Sequence, residues 1–329
     1  MAKGDRFVMR SKKYMNNHDS GIKMFIVAAV VVVISFYAAS TKDKPVYTTL
    51  EVKASSAYLV DMQTGEVLFE QNADEPLPPA SMSKLMTELL VLDAVNDGRL
   101  AWNEPVQTSA YAAAVPGSQI GFEQGETLTV RELFEAMAVH SANDAAVALA
   151  EHIGGSELEF VKRMQARAAQ IGLSERTVFG NATGLSRFDL RPFKAAASVR
   201  DTLMTAKDTA RLAAYMLKKY PEVLDVSSRG SIRLRGAAKA LPATNLMLSG
   251  KAYAFPGNDG LKTGYTEQAG YCFTGTAKQD GRRLVSVIMG AKTADERFVE
   301  TGKLFQYGFQ NSHMEVVIGR LQSKLGIRV

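Results

Sequence analysis

The sequence predicts an α+β fold, an antiparallel sheet flanked by helices, and three observations carry that prediction. Two short apolar runs of strand type surround a turn signal near residue 64. A middle stretch holds several segments of helical composition. After residue 262 the chain returns to alternating, β-branched segments. Strands, then helices, then strands again place the two strand-rich ends of the chain in one sheet.

The elements follow in chain order. Residues 1–23 carry six lysines and arginines against Asp5 and Asp19, and residues 24–39 are apolar apart from Ser35. A basic flank followed by an apolar run is an export signal. Sixteen helical residues rise about 24 Å, less than the roughly 30 Å of a bilayer's hydrocarbon core. Ala38-Ala39-Ser40 supplies small residues suited to cleavage, whereas the long basic flank favours retention. Residues 1–40 therefore read as a cytoplasmic basic flank with either a signal peptide or a membrane anchor. In both cases the rest of the chain is exported. Residues 41–53 form a polar linker, residues 54–310 the catalytic domain, and residues 311–329 a tail. In that tail Val317, Ile318, Leu321 and Leu325 stand at helical spacing with Arg320, Lys324 and Arg328, a pattern that suits a basic amphipathic helix on an anionic bilayer.

Within the catalytic region, 57–60 and 67–69 are apolar runs around Gln63-Thr64-Gly65, a hairpin signal. Pro76, Pro78 and Pro79 exclude regular structure up to Ser81. Residues 82–94 contain neither Gly nor Pro, which predicts a helix with Ser81 at its N-terminus. Residues 130–139 and 145–153 read as two more helices with Ser141 to Asn143 on the link, and 160–171 and 208–217 are also helical. Lys262 opens the strand-rich end. Residues 271–276 and 284–289 are strands joined by a turn at Gln279-Asp280-Gly281, and 296–305 is a closing helix.

Composition narrows the function. Most of the net charge of +5 sits in the first 23 residues, so the remainder is near neutral and lacks a nucleic-acid footprint. The single cysteine, Cys272, excludes an intrachain disulfide, and four histidines with one cysteine form no clustered ligand set, so neither a metal nor another cofactor is expected.

Three short motifs carry the chemistry: Ser81-Met82-Ser83-Lys84, Ser141-Ala142-Asn143 and Lys262-Thr263-Gly264. Each is weak alone, and Ser20-Gly21-Ile22-Lys23 repeats the first spacing in the leader. Taken singly they read as a capped helix with an exposed lysine, a turn, and a strand edge. In this order they are the parts of an active-site serine acyltransferase for penicillin-like and D-Ala-D-Ala-like substrates. A serine hydroxyl needs a base, and Lys84 shares a helix face with Ser81. The helix end and nearby cations lower the pKa of Lys84, and the same helix end offers the Ser81 N–H to an oxyanion. Ser141 can relay a proton to the leaving amine, and Asn143 can hold Lys84 and the substrate amide. Lys262 and Thr263 place a charge and a hydroxyl where a substrate carboxylate binds.

The residues Pro79 to Thr87, His140 to Ala145, Asp259 to Thr266 and Ala269 to Cys272 resemble one family, the serine-type D-alanyl-D-alanine carboxypeptidases, the low-molecular-mass penicillin-binding proteins of bacteria. The resemblance runs from about residue 54 to residue 309. It implies a penicillin-binding, β-lactamase-like transpeptidase fold with a helical subdomain and the site at its junction with the sheet. It implies removal of the terminal D-alanine from peptidoglycan stem peptides through a Ser81 acyl-enzyme, with β-lactams as inhibitors. It also implies the N–H of Tyr265 as second oxyanion donor, Gly264 before it, and Arg297 as a second cation for the carboxylate, against the alternative of a salt bridge. The family often has histidine at position 265, so Tyr265 is a departure that leaves the backbone donor intact.

Three other functions compete. A β-lactamase of class A type would need a Glu-x-x-Leu-Asn pattern, which is absent between Asn143 and Lys262. A DD-endopeptidase that cuts peptidoglycan cross-links would share every motif, and the short stretch after Phe309 fits it. An inactive binding module is disfavoured by intact Ser81, Lys84, Ser141, Asn143 and Lys262. Of the remaining residues, His140 reads as a structural neighbour, Cys272 as a core thiol, and Asp144 as a helix-start residue. Residues 186–200, with Arg187, Arg191, Lys194 and Arg200, read as a solvated loop, or as a lid or docking surface for an anionic wall polymer.

Overall fold

In a computed structural model that describes residues 50–310, two strand-rich segments from opposite ends of the catalytic region meet edge to edge. The leader, most of the linker and the tail with amphipathic spacing lie outside the described residues. β1 (Ser56–Asp61) and β2 (Val67–Gln71) form the expected hairpin. A 3-10 turn, Ala80–Ser83, leads into α1 (Lys84–Asn96). The helical block continues through β3 (Pro105–Gln107), α2 (Ala110–Ala114), β4 (Thr127–Thr129), α3 (Val130–Val139), α4 (Asn143–Gly154), α5 (Glu157–Gln170), α6 (Arg187–Leu190), α7 (Ala206–Lys219) and α8 (Leu224–Ser227). The two-residue strands β5 (Ser231–Ile232) and β6 (Leu241–Pro242) precede β7 (Asn258–Thr266), β8 (Gly270–Gln279), β9 (Arg282–Ala291) and α9 (Glu296–Gln310).

The five long strands are ordered β2-β1-β9-β8-β7, and every neighbouring pair is antiparallel. β1 pairs along β9 from Ser56↔Met289 to Asp61↔Leu284, so the sheet closes the chain's two ends together as the element order predicts. Asp280 and Gly281, both at positive φ, make the two-residue turn between β8 and β9, with Gln279 facing Arg282. That backbone twist matches the twist of paired strands.

Both faces of the sheet are covered. Val285, Val287 and Met289 of β9 join the core shared with Met82, Leu85 and the helical block. Leu284 and Ile288 point the other way and pack with Phe273, Phe298, Leu304 and Phe305 under α9. A strand buried on two sides reads as a near-continuous apolar run, which is the pattern of residues 284–289 apart from the buried Ser286. Within the helical block, Thr129 and Glu132 form a reciprocal capping box that starts α3.

Several boundaries differ from expectation. The α-helix begins at Lys84, because Ala80 at φ +49° and the Met82 N–H bond to Pro79 O tighten the entry into a 3-10 turn that holds Ser81. α4 starts at Asn143, so that residue belongs to the helix and not to the link. β7 begins four residues before Lys262, and α9 extends to Gln310. The strands β3 to β6 and the helices α2, α6 and α8 are too short to show a period in sequence.

Phe273 is fully buried and meets Phe298 edge-on at 5.3 Å between ring centroids. Phe273→Ala is expected to cost about 3–5 kcal/mol, measured by denaturant unfolding. A loss below 1 kcal/mol would show that the face under α9 is not a packed core.

Candidate active site

Ser81 sits at the meeting point of the helical block and the sheet because two glycines allow the chain to close around its turn. Gly184, at φ +81°, lies so near that a Cβ there would stand 2.0 Å from Ala80 O. On the other side a Cβ on Gly264 of β7 would stand 2.7 Å from Pro79 O and 3.1 Å from Ser81 N. The glycine of the third motif is thus needed for the strand to reach the serine's own N–H.

Lys84 stands one turn on from Ser81 and is completely buried. Its Nζ lies 2.8 Å from Ser81 Oγ, 2.6 Å from Asn143 Oδ1 and 2.9 Å from Thr183 O. Burial is the main force pushing its pKa well below that of a free lysine. Lys262 adds to the depression, and Glu88 and Asp144 oppose it. A neutral amine has two hydrogens, and the two carbonyl oxygens, of Asn143 and Thr183, take both. The lone pair is then left facing the hydroxyl of Ser81, the geometry a general base requires. The sequence pointed to neighbouring cations and the helix end as the cause of the low pKa. Desolvation, which spacing does not reveal, comes first.

The second motif lies on a strained corner. Ser141 has φ +65° and is buried, with its Oγ 2.6 Å from Lys262 Nζ. Residues 116–121 hold the corner. Asn143 Nδ2 donates to Pro116 O at 2.6 Å, Asn143 N to Ser118 O at 2.7 Å, and Ser118 Oγ to His140 O at 2.9 Å. Asp144 accepts the N–H of Ala145 at its helix start and also those of Ile120 and Gly121, so it pins the loop as well as the helix. His140 Nδ1 lies 2.9 Å from Pro242 O, a structural contact.

The third motif runs along β7. Lys262 is buried, and burial brings its pKa down to about 8; Glu88 works against this and Arg297 with it. Thr263 Oγ1 donates to Thr244 Oγ1 at 2.7 Å. Arg297, at the start of α9, donates from Nη1 to Gly264 O at 3.2 Å and lies over the rings of Tyr271 and Phe298. Its Nε has no partner, and it makes no ion pair among the described residues, unlike the salt bridge that was the alternative. Tyr265 is half exposed and stacks on Tyr271, its cross-strand partner in β8, with 4.3 Å between centroids.

The structure therefore brings together Ser81, Lys84, Ser141, Asn143, Lys262, Thr263, Gly264 and Arg297 around one junction. Sequence reasoning missed Thr183, Thr244 and Glu88. Thr183 acts through its carbonyl, which no side-chain motif encodes. Glu88 could have been found at i+4 from Lys84. Cys272 is a buried thiol with its pKa pushed up to about 11 by burial. The basic segment packs on the helical block. Leu190 and Ala197 are buried, Phe193 meets Tyr111 at 5.4 Å, and Ala197 N donates to Glu157.

The chain is similar to known proteins over most of its length. Residues 39–293 match the family model described as D-alanyl-D-alanine carboxypeptidase. The chain is 34% identical over 311 residues to the D-alanyl-D-alanine carboxypeptidase DacF of Bacillus subtilis, covering 94% of this chain and 75% of that one. Among solved structures it is similar to penicillin-binding protein D2 of Listeria monocytogenes in its ampicillin-bound form. There the identity is 36% and the TM-score 0.68, over 80% of this chain and 100% of the other. It is also similar to a peptidoglycan synthesis regulatory factor (PBP3) of Streptococcus pneumoniae, at 35% identity and TM-score 0.74, over 78% of this chain and 74% of that one.

Gly264→Ala places a methyl group against Pro79 O and Ser81 N and so displaces β7 from the serine. Acylation by a fluorescent penicillin is expected to slow by about 10²-fold in stopped-flow measurements. An unchanged rate would mean that the approach of β7 to Ser81 is not required.

Proposed function

The chain belongs to the D-alanyl-D-alanine carboxypeptidase family of serine peptidases, and from that membership we propose how its residues remove the terminal D-alanine of a peptidoglycan stem peptide. The observation that carries the reading is the Lys84 amine at 2.8 Å from Ser81 Oγ with both its hydrogens directed at carbonyl oxygens. Lys84 takes the Ser81 proton as Oγ bonds to the carbonyl carbon of the penultimate D-alanine. The charge that develops on the carbonyl oxygen is received by the N–H groups of Ser81 and Tyr265. The C–N bond then breaks, and the proton that Lys84 took from Ser81 is passed through Ser141 to the amine of the terminal D-alanine, which leaves and returns Lys84 to its neutral form. Water next adds to the Ser81 ester as Lys84 takes its proton, the bond to Oγ then breaks with that proton returned from Lys84 to Oγ, and the shortened peptide is released. Base catalysis of this kind contributes roughly 10²–10⁴-fold.

The carboxylate of the substrate is held by Lys262, Thr263 and Arg297. A guanidinium makes paired hydrogen bonds that an ammonium cannot, and Arg297 reaches β7 through Nη1 on Gly264 O, next to Lys262 and Thr263 in the chain. Recognition of a free carboxylate favours the carboxypeptidase over an endopeptidase that cuts cross-links. β-Lactams, which carry a carboxylate and a strained amide, enter the same site as acylating inhibitors. The basic flank and apolar run at the start of the chain support an exported enzyme held by, or released from, the outer face of the cytoplasmic membrane.

Labelled penicillin is expected to attach covalently to the wild type. Ser81→Ala should abolish the labelled band on a denaturing gel while leaving the melting temperature nearly unchanged. Labelling that survives the substitution would remove Ser81 as nucleophile. Arg297→Ala should lower release of D-alanine from a free-acid pentapeptide by about 10²-fold, or about 3 kcal/mol of transition-state binding, with little effect on a pentapeptide amidated at its C-terminus. Wild-type turnover of the free acid by this variant would place carboxylate recognition elsewhere, and faster cleavage of cross-linked dimers than of pentapeptides would favour the endopeptidase.

A further inference from the structure

The geometry points to Tyr271 as a positioning residue for recognition of the substrate carboxylate: its ring holds the Arg297 guanidinium beside β7. This rests on the carboxylate-binding role of Arg297 given above.

Arg297 enters from the first turn of α9, whereas Lys262 and Thr263 stand on β7, so its head group has to be fixed relative to a strand it does not belong to. A guanidinium carries five N–H donors in one plane and is commonly oriented by a carboxylate that accepts two of them. Among the described residues no carboxylate forms an ion pair with Arg297. Its side chain makes one hydrogen bond there, from Nη1 to Gly264 O at 3.2 Å, and Nε is sealed from solvent without a partner. One bond fixes a point but leaves the plane of the group free to turn. Aromatic rings supply the remaining constraint. The guanidinium carbon lies over the Phe298 ring at 4.8 Å from its centroid and over the Tyr271 ring at 5.4 Å. Both distances lie within reach of the attraction between a cation and the negative face of a ring. Phe298 is the next residue on α9 and is buried in the core under that helix, so it fixes the guanidinium relative to α9. Tyr271 stands on β8, opposite Tyr265 of β7, and stacks on it with 4.3 Å between centroids. Its ring therefore ties Arg297 to the strand that carries Lys262, Thr263 and Gly264. A planar, weakly hydrated guanidinium suits such a contact better than an ammonium does. The motif chemistry leaves Tyr271 without a task, and this contact supplies one, exerted on the substrate through Arg297.

The test uses the full chain and measures kcat and KM for a free-acid pentapeptide and for the same peptide amidated at its C-terminus. Tyr271→Leu should raise KM for the free acid by about 10-fold and lower kcat less, because the contact it loosens is made before the transition state as well as in it. Turnover of the amidated peptide should change little. Tyr271→Phe keeps the ring and should stay close to the wild type on both substrates. Tyr271→Val, β-branched and suited to a strand, provides the same measurement should the leucine variant fail to fold. In an Arg297→Ala background Tyr271→Leu should add little further loss, since the two side chains act as a unit. A purely structural role would slow both peptides alike and would add its full loss to that of Arg297→Ala. Either of those results would overturn the role of Tyr271 alone, as would a wild-type KM in Tyr271→Leu or a Tyr271→Phe variant as impaired as the leucine one. Wild-type turnover of the free acid by Arg297→Ala would overturn the role of Arg297 itself, and that of Tyr271 with it.

Discussion

The site depends on two lysine side chains buried within one junction. Lys84 comes from a helix and Lys262 from a strand, and neither is accessible to water. Each of the polar groups that meet them is committed to one of the two: Ser81, Asn143 and Thr183 to the first, Ser141 and the Thr263 carbonyl to the second. Desolvation depresses both pKa values, and the proximity of like charges strengthens the effect on Lys84. A lysine exposed on a helix surface would remain an ammonium and could not serve as a base. The packing that excludes water is therefore part of the chemistry.

That packing places demands on the backbone. Ala80 and Ser141, on either side of the junction, have φ of +49° and +65°, a region that costs residues with a Cβ about 1–3 kcal/mol each. The surroundings hold these conformations. Gly184 and Gly264 admit the chain on both sides of the Ser81 turn, and the Asp144 carboxylate gathers the loop that supports Ser141. Beneath them, pairing of β1 with β9 ties the start of the catalytic region to its end, with the sheet enclosed between the helical block and α9.

The order of strands, helices and strands was legible because β-type runs and helical segments keep their composition locally. Thr129 and Glu132 even spell out a helix start. Where the local signal ran out, so did the reading. Ser81 lies in a 3-10 turn and not at the start of an α-helix, since the turn is set by Ala80 and by its approach to Gly184 and Gly264, which are distant in sequence. Asn143 belongs to α4, whose first turn is held by a loop more than twenty residues earlier.

By itself the sequence determined the fold class, the three motifs and their order, and the placement of Ser81 and Lys84 one helical turn apart, because each of these is written within a few consecutive residues. Tertiary structure alone decided which groups touch. Lys84 meets Asn143 across 59 positions and the Thr183 carbonyl across 99, and Lys262 meets Ser141 across 121. Periodicity states which face of an element is apolar, but not which face it will meet or how much water the meeting excludes. The low pKa of the base, the carbonyl partners of its hydrogens and the burial of both lysines all follow from that exclusion, and so they exist only in the folded chain.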